Sequence, residues 1–412
     1  MKNILLLTSV YPADDLPNDN TPVVLYFARE WVNMGYHVEV IHSEKYYPKI
    51  AYFIINIFRD IISKYYKFIF PVRRYSEERH YELERVNVHR LPIFKISPLL
   101  LFSKKAQTWQ LKRIKDLSAS LNFTPDVIIG HWPNPQLFLV SELGKLFNVP
   151  TCMVQHTDVE TIGRMYGNKA KEVIASIDIW GFRSSEIKNR FENLYGKANK
   201  SFFCFSGIPG NRIKPPQRTF KNKVKNFLFV GLLIPRKYPV ALVKAVNEAF
   251  KEGNFHINFV GKGREEKSIL KLARELNITS KISLFGRIPR DHVLEMMKTS
   301  DCFIMISKPE TFGLVYLEAM SMGCITIGSK GEGIDGIIQH GKNGFLSEAG
   351  DYANLAELLR KISKLTEEEL IAVSNQAIQT ALELTDEKAA EHYIRSVEAI
   401  KSIQENGTPI KF

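Results

Sequence analysis

Residues 307–320 read Ser307-Lys308-Pro309-Glu310-Thr311-Phe312-Gly313-Leu314-Val315-Tyr316-Leu317-Glu318-Ala319-Met320. The apolar run from Cys302 to Ile306 just before it suits a strand covered on both faces. A loop carrying Glu310 follows, and a helix is expected from about Gly313. Helix starts present unpaired amides and a positive dipole end, which suits the pyrophosphate of a nucleotide sugar. Glu318 falls about one and a half turns into that helix, a place from which a carboxylate can accept from neighbouring ribose hydroxyls.

The same strand and helix alternation extends in both directions. In the second half, strands are expected at Phe227–Val230, Ile257–Val260, Ile282–Phe285, Cys302–Ile306 and Ile325–Ile327, with helices such as Val240–Phe250 and Ser268–Leu276 between them. In the first half they are expected at Ile4–Val10, His37–His42, Val86–Leu91, Asp126–Gly130, Thr151–Gln155, Ile177–Phe182 and Ser201–Phe205. Residues 208–225 break the rhythm with Pro209, Gly210, Pro215, Pro216 and a Lys/Arg cluster, and read as a linker. The pattern is that of two doubly wound, Rossmann-like α/β domains, 1–207 and 226–386, whose ligands are expected at the carboxyl ends of the strands, in the cleft. A helix at Glu367–Leu382 opens with a Thr366/Glu369 capping box. The last helix, about 387–412, is a candidate to pack back on the first domain.

At 412 residues the chain exceeds one ordinary core, which agrees with two domains. The net charge of +12 is uneven: residues 1–220 hold 30 Lys+Arg against 20 Asp+Glu, and residues 45–115 hold 16 against 5. A localised positive region suits an anionic surface or acceptor. No nucleic-acid module accompanies it, so nucleic acid is not expected as a partner. Cys152, Cys204, Cys302 and Cys324 have no paired short spacings, which argues against a zinc site or a disulfide framework and for a reducing cytoplasm. The short apolar run at the start reads as a first strand, and no segment is long enough to be expected to cross a bilayer.

The Glu310 to Glu318 passage resembles the retaining GT4 family of glycosyltransferases, which have the GT-B fold and two glutamates separated by seven residues. The resemblance implies that Glu310 contacts the donor sugar near its reacting carbon, that Glu318 holds the ribose, and that the Thr311, Phe312, Gly313 and Leu314 backbone binds sugar and phosphate. Phe229-Val230-Gly231-Leu232-Leu233-Ile234-Pro235-Arg236-Lys237 resembles the family's diphosphate clamp, with Lys237 at its lysine. Leu232 stands where an arginine is often found, and Arg236 is the candidate replacement. Val260-Gly261-Lys262-Gly263 and Leu284-Phe285-Gly286-Arg287-Ile288-Pro289 match the next two strand ends, which makes Gly261, Arg287 and Ile288 donor-side candidates. Gly331-Glu332-Gly333-Ile334-Asp335 and Asn343-Gly344-Phe345-Leu346 complete the likeness, which covers residues 225–350.

In the first half, Gly130-His131-Trp132-Pro133 resembles the family's strand-end histidine near the transfer point, and Gln155-His156-Thr157-Asp158 resembles another cleft-facing segment. His131, with Glu310 and Lys237, is accordingly a catalytic candidate, and His156 and Asp158 are acceptor-side candidates. Asn20 and Thr21 lie where relatives carry a glycine-bearing loop; the glycines are missing here. No Asp-x-Asp occurs, so no metal is expected, and cationic side chains with helix amides are expected to stabilise the leaving nucleoside diphosphate.

The function implied is a metal-independent, retaining transfer from a nucleotide sugar to a glycan or polyprenyl-diphosphate-linked saccharide, as in bacterial surface polysaccharide synthesis. A UDP-sugar is the expected donor, with no further cofactor. Rival readings are a sugar-nucleotide epimerase of the same fold and a non-catalytic glycan-binding subunit; a dehydrogenase is rejected because Thr8 to Asp14 lacks the glycine fingerprint. Residues 45–75 hold ten aromatics and seven basic residues against one acid. Ile54, Ile55, Phe58, Ile61, Ile62 and Tyr65 recur at helical spacing with Arg59, Lys64 and Lys67 beside them. This segment is expected to dock on an anionic membrane surface, placing a cytoplasmic protein at the inner face of the cell membrane.

Overall fold

The computed structural model describes residues 2–16, 22–57, 73–97, 100–156, 158–221, 224–251 and 253–406. The chain divides into two compact units. One comprises Met1–Phe182, Arg190–Cys204 and Ala390–Phe412; the other comprises Arg183–Asn189 and Phe205–Ala389.

The first unit contains β1 (Asn3–Thr8), β2 (His37–His42), β3 (Lys45–Tyr46), β4 (Arg79–Leu83), β5 (Val86–Arg90), β6 (Ile93–Phe94), β7 (Val127–His131), β8 (Thr151–Gln155), β9 (Ile179–Phe182) and β10 (Ser201–Phe203). Eight of these form one sheet in the order β10-β9-β8-β7-β1-β2-β5-β4. Its strands run parallel except β4, which pairs antiparallel with β5 at the edge. Ile4 to Leu7 and Val127 to Ile129 are buried because helices cover both faces, and this produces the unbroken apolar runs. β4 was not expected from the pattern. An edge strand half in solvent alternates polar and apolar residues, here Arg-His-Tyr-Glu-Leu, and its signal is weak.

The Val23–Asn33 helix sends Trp31 into the core, where its indole donates to the Ala390 carbonyl at 3.0 Å. Tyr393 packs edge-on against Trp31 and Phe27, with ring centroids 5.0 and 5.2 Å away. These contacts hold the last helix, Asp386–Asn406, in this unit from Ala390 onward. Buried Arg90 makes a two-pronged bond to Asp15, at 2.7 and 2.9 Å, which ties down the loop that follows β1.

In the second unit, β11 (Asn226–Val230), β12 (His256–Val260), β13 (Ile282–Leu284), β14 (Cys302–Ile304), β15 (Ile325–Ser329) and β16 (Phe345–Ser347) form a parallel sheet in the order β13-β12-β11-β14-β15-β16. The Glu367–Glu383 helix opens with the expected capping box: Thr366 Oγ1 accepts from the Glu369 amide, and Glu369 Oε2 accepts from the Thr366 amide. Residues 183–189 lie inside the stretch that the pattern assigns to the first domain, yet they belong to this unit. Arg183 donates to Ser206 Oγ and lies 5.5 Å over the Phe312 ring, contacts that no local pattern encodes.

Among the described residues no helix is long and apolar enough to cross a membrane. The helix expected to dock on a surface spans Lys49–Ile57. Tyr52 is buried, whereas Ile50, Phe53 and Ile57 are 67%, 66% and 58% exposed. Their spacing aligns them on one open face. Phe94, Ile96, Leu100 and Leu101 are exposed as well, and β3 and β6 pair to bring Tyr46 and Phe94 within 5.5 Å. The side chains of Ile54 and Ile55, and residues 58–72 with Phe58, Arg59, Ile61, Ile62, Lys64, Tyr65 and Lys67, lie outside the described residues.

Candidate active site

The donor-side candidates converge at the carboxyl ends of β11, β12, β13 and β14. β11 leads through Gly231 to a 3-10 turn, Pro235–Lys237, and then to the Pro239–Ala249 helix, whose first residue is the proline favoured there. Tyr238 between them takes a left-handed conformation, φ 52°, which makes the reversal tight. β14 runs out through Met305 to Ser307 into the Glu310 loop. The loops are joined directly: the Lys308 amide donates to the Arg236 carbonyl at 2.8 Å, and Arg236 Nη1 donates to the Pro309 carbonyl at 2.9 Å.

Within that frame Lys237 Nζ and Glu310 Oε2 form an ion pair, and Ser307 Oγ donates to the same carboxylate oxygen at 3.0 Å. Lys237 Nζ also lies 3.5 Å from Met305 Sδ. The Glu310 amide donates to Glu332 Oε2 at 2.7 Å, and the Glu310 carbonyl accepts from the Gly333 amide at 3.0 Å. Glu332 is buried, with Lys308 Nζ 3.8 Å from its other oxygen. A cation, a carboxylate and a second carboxylate that fixes the loop therefore meet at one strand end.

The helix after this loop is Leu314–Ser321, and Gly313 is its N-cap at φ 78°. A Cβ at 313 would fall 2.5 Å from the Tyr316 ring, so only glycine fits. Tyr316 is held in turn by the Met305 carbonyl at 2.5 Å. Thr311 is half-buried. The Phe312 ring is buried, stacked 5.7 Å from Phe205 and beneath Arg183, so any ligand contact at 312 falls to its backbone. Leu314 is buried too.

Glu318 is buried on this helix and forms an ion pair with Arg290, the first residue of the Arg290–Thr299 helix. Burial pushes its carboxyl above the ordinary range, while Arg290 and then Arg212 pull it back down.

Gly261, at φ 132°, has its Cβ position 1.9 Å from the Gly231 carbonyl, and its amide donates to the Gly286 carbonyl at 2.7 Å. Gly261 thus allows three strand ends to close on one another. Arg287 and Ile288 follow on the loop leading to Arg290, Arg287 exposed and Ile288 half-buried. Leu232 is solvent-exposed, and Arg236, the candidate to replace an arginine there, is spent in part on the Pro309 carbonyl.

In the first unit His131 ends β7 and His156 follows β8. His131 is wholly buried: its Nδ1 is 3.2 Å from His156 Nε2, and its Nε2 is 3.3 Å from Tyr393 Oη. Trp132, at φ 63°, stacks on His156 with ring centroids 3.9 Å apart. His131 therefore reaches outward through His156 and not by a surface of its own. Asp158 is exposed and accepts from Thr161 Oγ1 and Arg164 Nη2, both at 2.5 Å, bracing the start of the Glu160–Tyr166 helix. Asn20 and Thr21 lie outside the described residues.

Sequence reasoning missed Ser307, Glu332 and Arg290. For Glu332 a signal existed, a lone acid between Gly331 and Gly333 just past a strand. Arg290 carried none, because its partner lies 28 positions along the chain.

Residues 211–379 match the family model described as glycosyl transferases group 1. N-acetyl-alpha-D-glucosaminyl L-malate synthase of Bacillus anthracis is 37% identical over 129 residues, 31% of this chain and 33% of that protein. Sulfoquinovosyl transferase SQD2 of Arabidopsis thaliana is 27% identical over 303 residues, 68% of this chain and 58% of that protein. The chain thus spans less than two thirds of either relative. Among solved structures, a sucrose-phosphate synthase from Thermosynechococcus elongatus superposes with a TM-score of 0.70 at 16% identity, covering 98% of this chain and 100% of the other. HepE of Anabaena, in complex with UDP and glucose, gives 0.64 at 14% identity, covering 97% and 100%. The architecture is the GT-B fold, and residues 211–379 carry the likeness to the group 1, GT4-like glycosyltransferases.

Proposed function

We propose that the chain transfers a sugar from a nucleotide-sugar donor, a UDP-sugar by preference, to a glycan or polyprenyl-diphosphate-linked saccharide, in bacterial surface polysaccharide synthesis. The observation that carries this reading is the meeting of Lys237 and Glu310 beside a helix start whose N-cap must be glycine. The complex of HepE with UDP and glucose supports a uridine nucleotide.

In the proposed step the bond from the sugar's anomeric carbon to the leaving phosphate oxygen breaks. A bond to the acceptor oxygen forms on the same face, and the acceptor proton passes to the departing diphosphate. The charge that develops on the leaving group is met by Lys237, Arg236 and the amides that open the Leu314–Ser321 helix, with no metal required. Glu310 orients the sugar, and Glu318 accepts from the ribose. Thr311, Gly313 and Leu314 offer backbone to the sugar and phosphate, and Arg287 and Ile288 face the base. On the acceptor side His156 and Asp158 are assigned to the first unit, with Asn20 and Thr21 as expected from their position; His131 acts as a positioning residue for His156.

The test is release of nucleoside diphosphate from a panel of UDP-, GDP- and other nucleotide sugars, with and without excess chelator, and the anomeric configuration of the product by NMR. Turnover that survives chelator with retained configuration is expected. Loss in chelator with recovery in manganese would contradict the metal-free step. An epimerised donor formed without acceptor would mark an epimerase, and neither turnover nor hydrolysis would mark a glycan-binding subunit.

The proposed membrane partner rests on the open Ile50, Phe53 and Ile57 face, with Lys49 at the start of the same helix, Lys45 on β3 and Arg74 over the Tyr46 ring. At about 1 kcal/mol per basic residue near anionic lipid, such a patch binds reversibly and releases in salt. Co-sedimentation with anionic vesicles, lost in Ile50→Ser/Phe53→Ser/Ile57→Ser, is expected; equal pelleting with neutral vesicles would reject it.

A further inference from the structure

Glu318 is an acid in an expensive place. It is 8% exposed, and burial disfavours its charged form. As a carboxylate it has two oxygens that can accept from two vicinal hydroxyls, whereas a protonated carboxyl carries a proton on one oxygen and is the weaker acceptor. Some feature of the structure has to keep it charged. Arg290 touches Glu318 Oε1 directly, and it stands at the head of a ten-residue helix, right after the Gly286–Pro289 loop. Arg290 remains about one-third exposed and so reaches both the interior carboxylate and solvent.

The helix bearing Glu318 packs against the Arg290–Thr299 helix, the Glu367–Glu383 helix and β15. Arg290 from the first of these, and Arg212 from the Gly210–Arg212 turn, are the charged groups that act on Glu318 among the described residues.

We propose that Arg290 is a positioning residue for the donor: its contact holds Glu318 as an oriented carboxylate, ready to accept from both ribose hydroxyls of a nucleoside diphosphate. The inference rests on the donor-site reading above and goes one step further, because Arg290 itself need not touch the ligand. A Glu318 without this partner protonates as pH falls, and ribose binding falls with it.

The experiment is calorimetric titration with UDP from pH 8 to pH 5.5 on wild type, Arg290→Gln, Arg290→Lys, Arg290→His and Glu318→Gln. Affinities are expressed relative to wild type at each pH, so that titration of UDP's own phosphate cancels. Arg290→Gln should show a deficit that grows as pH falls, up to roughly ten-fold per pH unit once the carboxyl titrates. Arg290→Lys should stay near wild type at every pH. Arg290→His should bind poorly at pH 8 and recover toward pH 6 as the imidazole charges. Glu318→Gln should lose affinity by a factor that does not change with pH. A pH-independent ratio for Arg290→Gln, with Glu318→Gln still impaired, would overturn the role of Arg290 alone. Wild-type affinity in Glu318→Gln would instead remove the ribose contact and the donor-site reading with it. If Arg290→Gln fails to fold, the flat profile of the lysine variant against the low-pH recovery of the histidine variant decides, and parallel profiles overturn the proposal.

Discussion

Lys237 and Glu310, 73 residues apart in the chain, form an ion pair that joins the loop after β11 to the loop after β14. Both side chains are nearly buried, at 11% and 12% exposure. A buried pair stabilises only when its remaining bonds are made. Here Ser307 donates to the carboxylate, and the Arg236 and Lys308 backbones tie the loops together. The pair therefore fixes the two strand-end loops to each other.

Glu318→Ala should weaken UDP binding roughly ten- to a hundred-fold, since a charged hydrogen bond contributes about 1.5 to 3 kcal/mol. Equilibrium titration checks it. Unchanged affinity in the folded variant would place the ribose elsewhere.

Gly261→Ala should destabilise the second unit by about 3 kcal/mol, because a methyl would enter the space of the Gly231 carbonyl at an unfavourable φ. Gly331→Ala is the control. Its φ is also positive, at 70°, but nothing lies within 4 Å, so strain alone should cost about 1 kcal/mol. Urea unfolding of the two variants should separate them clearly; equal losses would show that the strand ends can part to admit a side chain at 261.

Acid should weaken the first unit through His80. Its Nδ1 is 2.7 Å from His89 Nδ1, whose Nε2 is 2.6 Å from Glu39 Oε2, so one of the two facing nitrogens carries no proton. Burial first, and His89 second, hold His80 below the ordinary histidine range. In that window the unfolded chain binds more protons than the folded one, so stability rises with pH and is lost as pH falls below about 6.5. His80→Gln should flatten this limb. The gain in melting temperature at pH 5, relative to pH 7.5, should be about 1–2 °C, because His80 is largely exposed and screened. Identical acid limbs by calorimetry would exclude the coupling.

The parts of the fold readable from sequence are those with a one-dimensional signature. Ile4 to Leu7 and Phe227 to Phe229 are buried on both sides of a sheet, and an unbroken apolar run announces that. β4 and β16 lie at sheet edges, where solvent or brevity dilutes the pattern, and they went unseen. At the site, Gly313 was readable as the start of a helix after a buried strand, and Lys237 only through the resemblance of the Phe229–Lys237 stretch to the family's diphosphate clamp. Glu332 and Arg290 serve by meeting residues 22 and 28 positions away, which no local spacing records, and Ser307 meets Glu310 across a loop whose turn the spacing alone does not reveal. His131 shows the converse: its place at a strand end was right, yet full burial against His156 and Tyr393 makes it a support and not a surface.

The most direct test of the account is steady-state turnover of a nucleotide-sugar donor by wild type, Lys237→Ala and Glu310→Ala, with donor affinity measured in parallel. On the proposed reading, removing Lys237 strips a cation from the leaving diphosphate, and removing Glu310 frees the sugar. Single stabilising groups of this kind are worth about a hundred- to a thousand-fold in turnover. The account predicts losses of about that size in both variants, with donor affinity in Glu310→Ala changed much less than turnover. Folded variants that both turn over like wild type would contradict it.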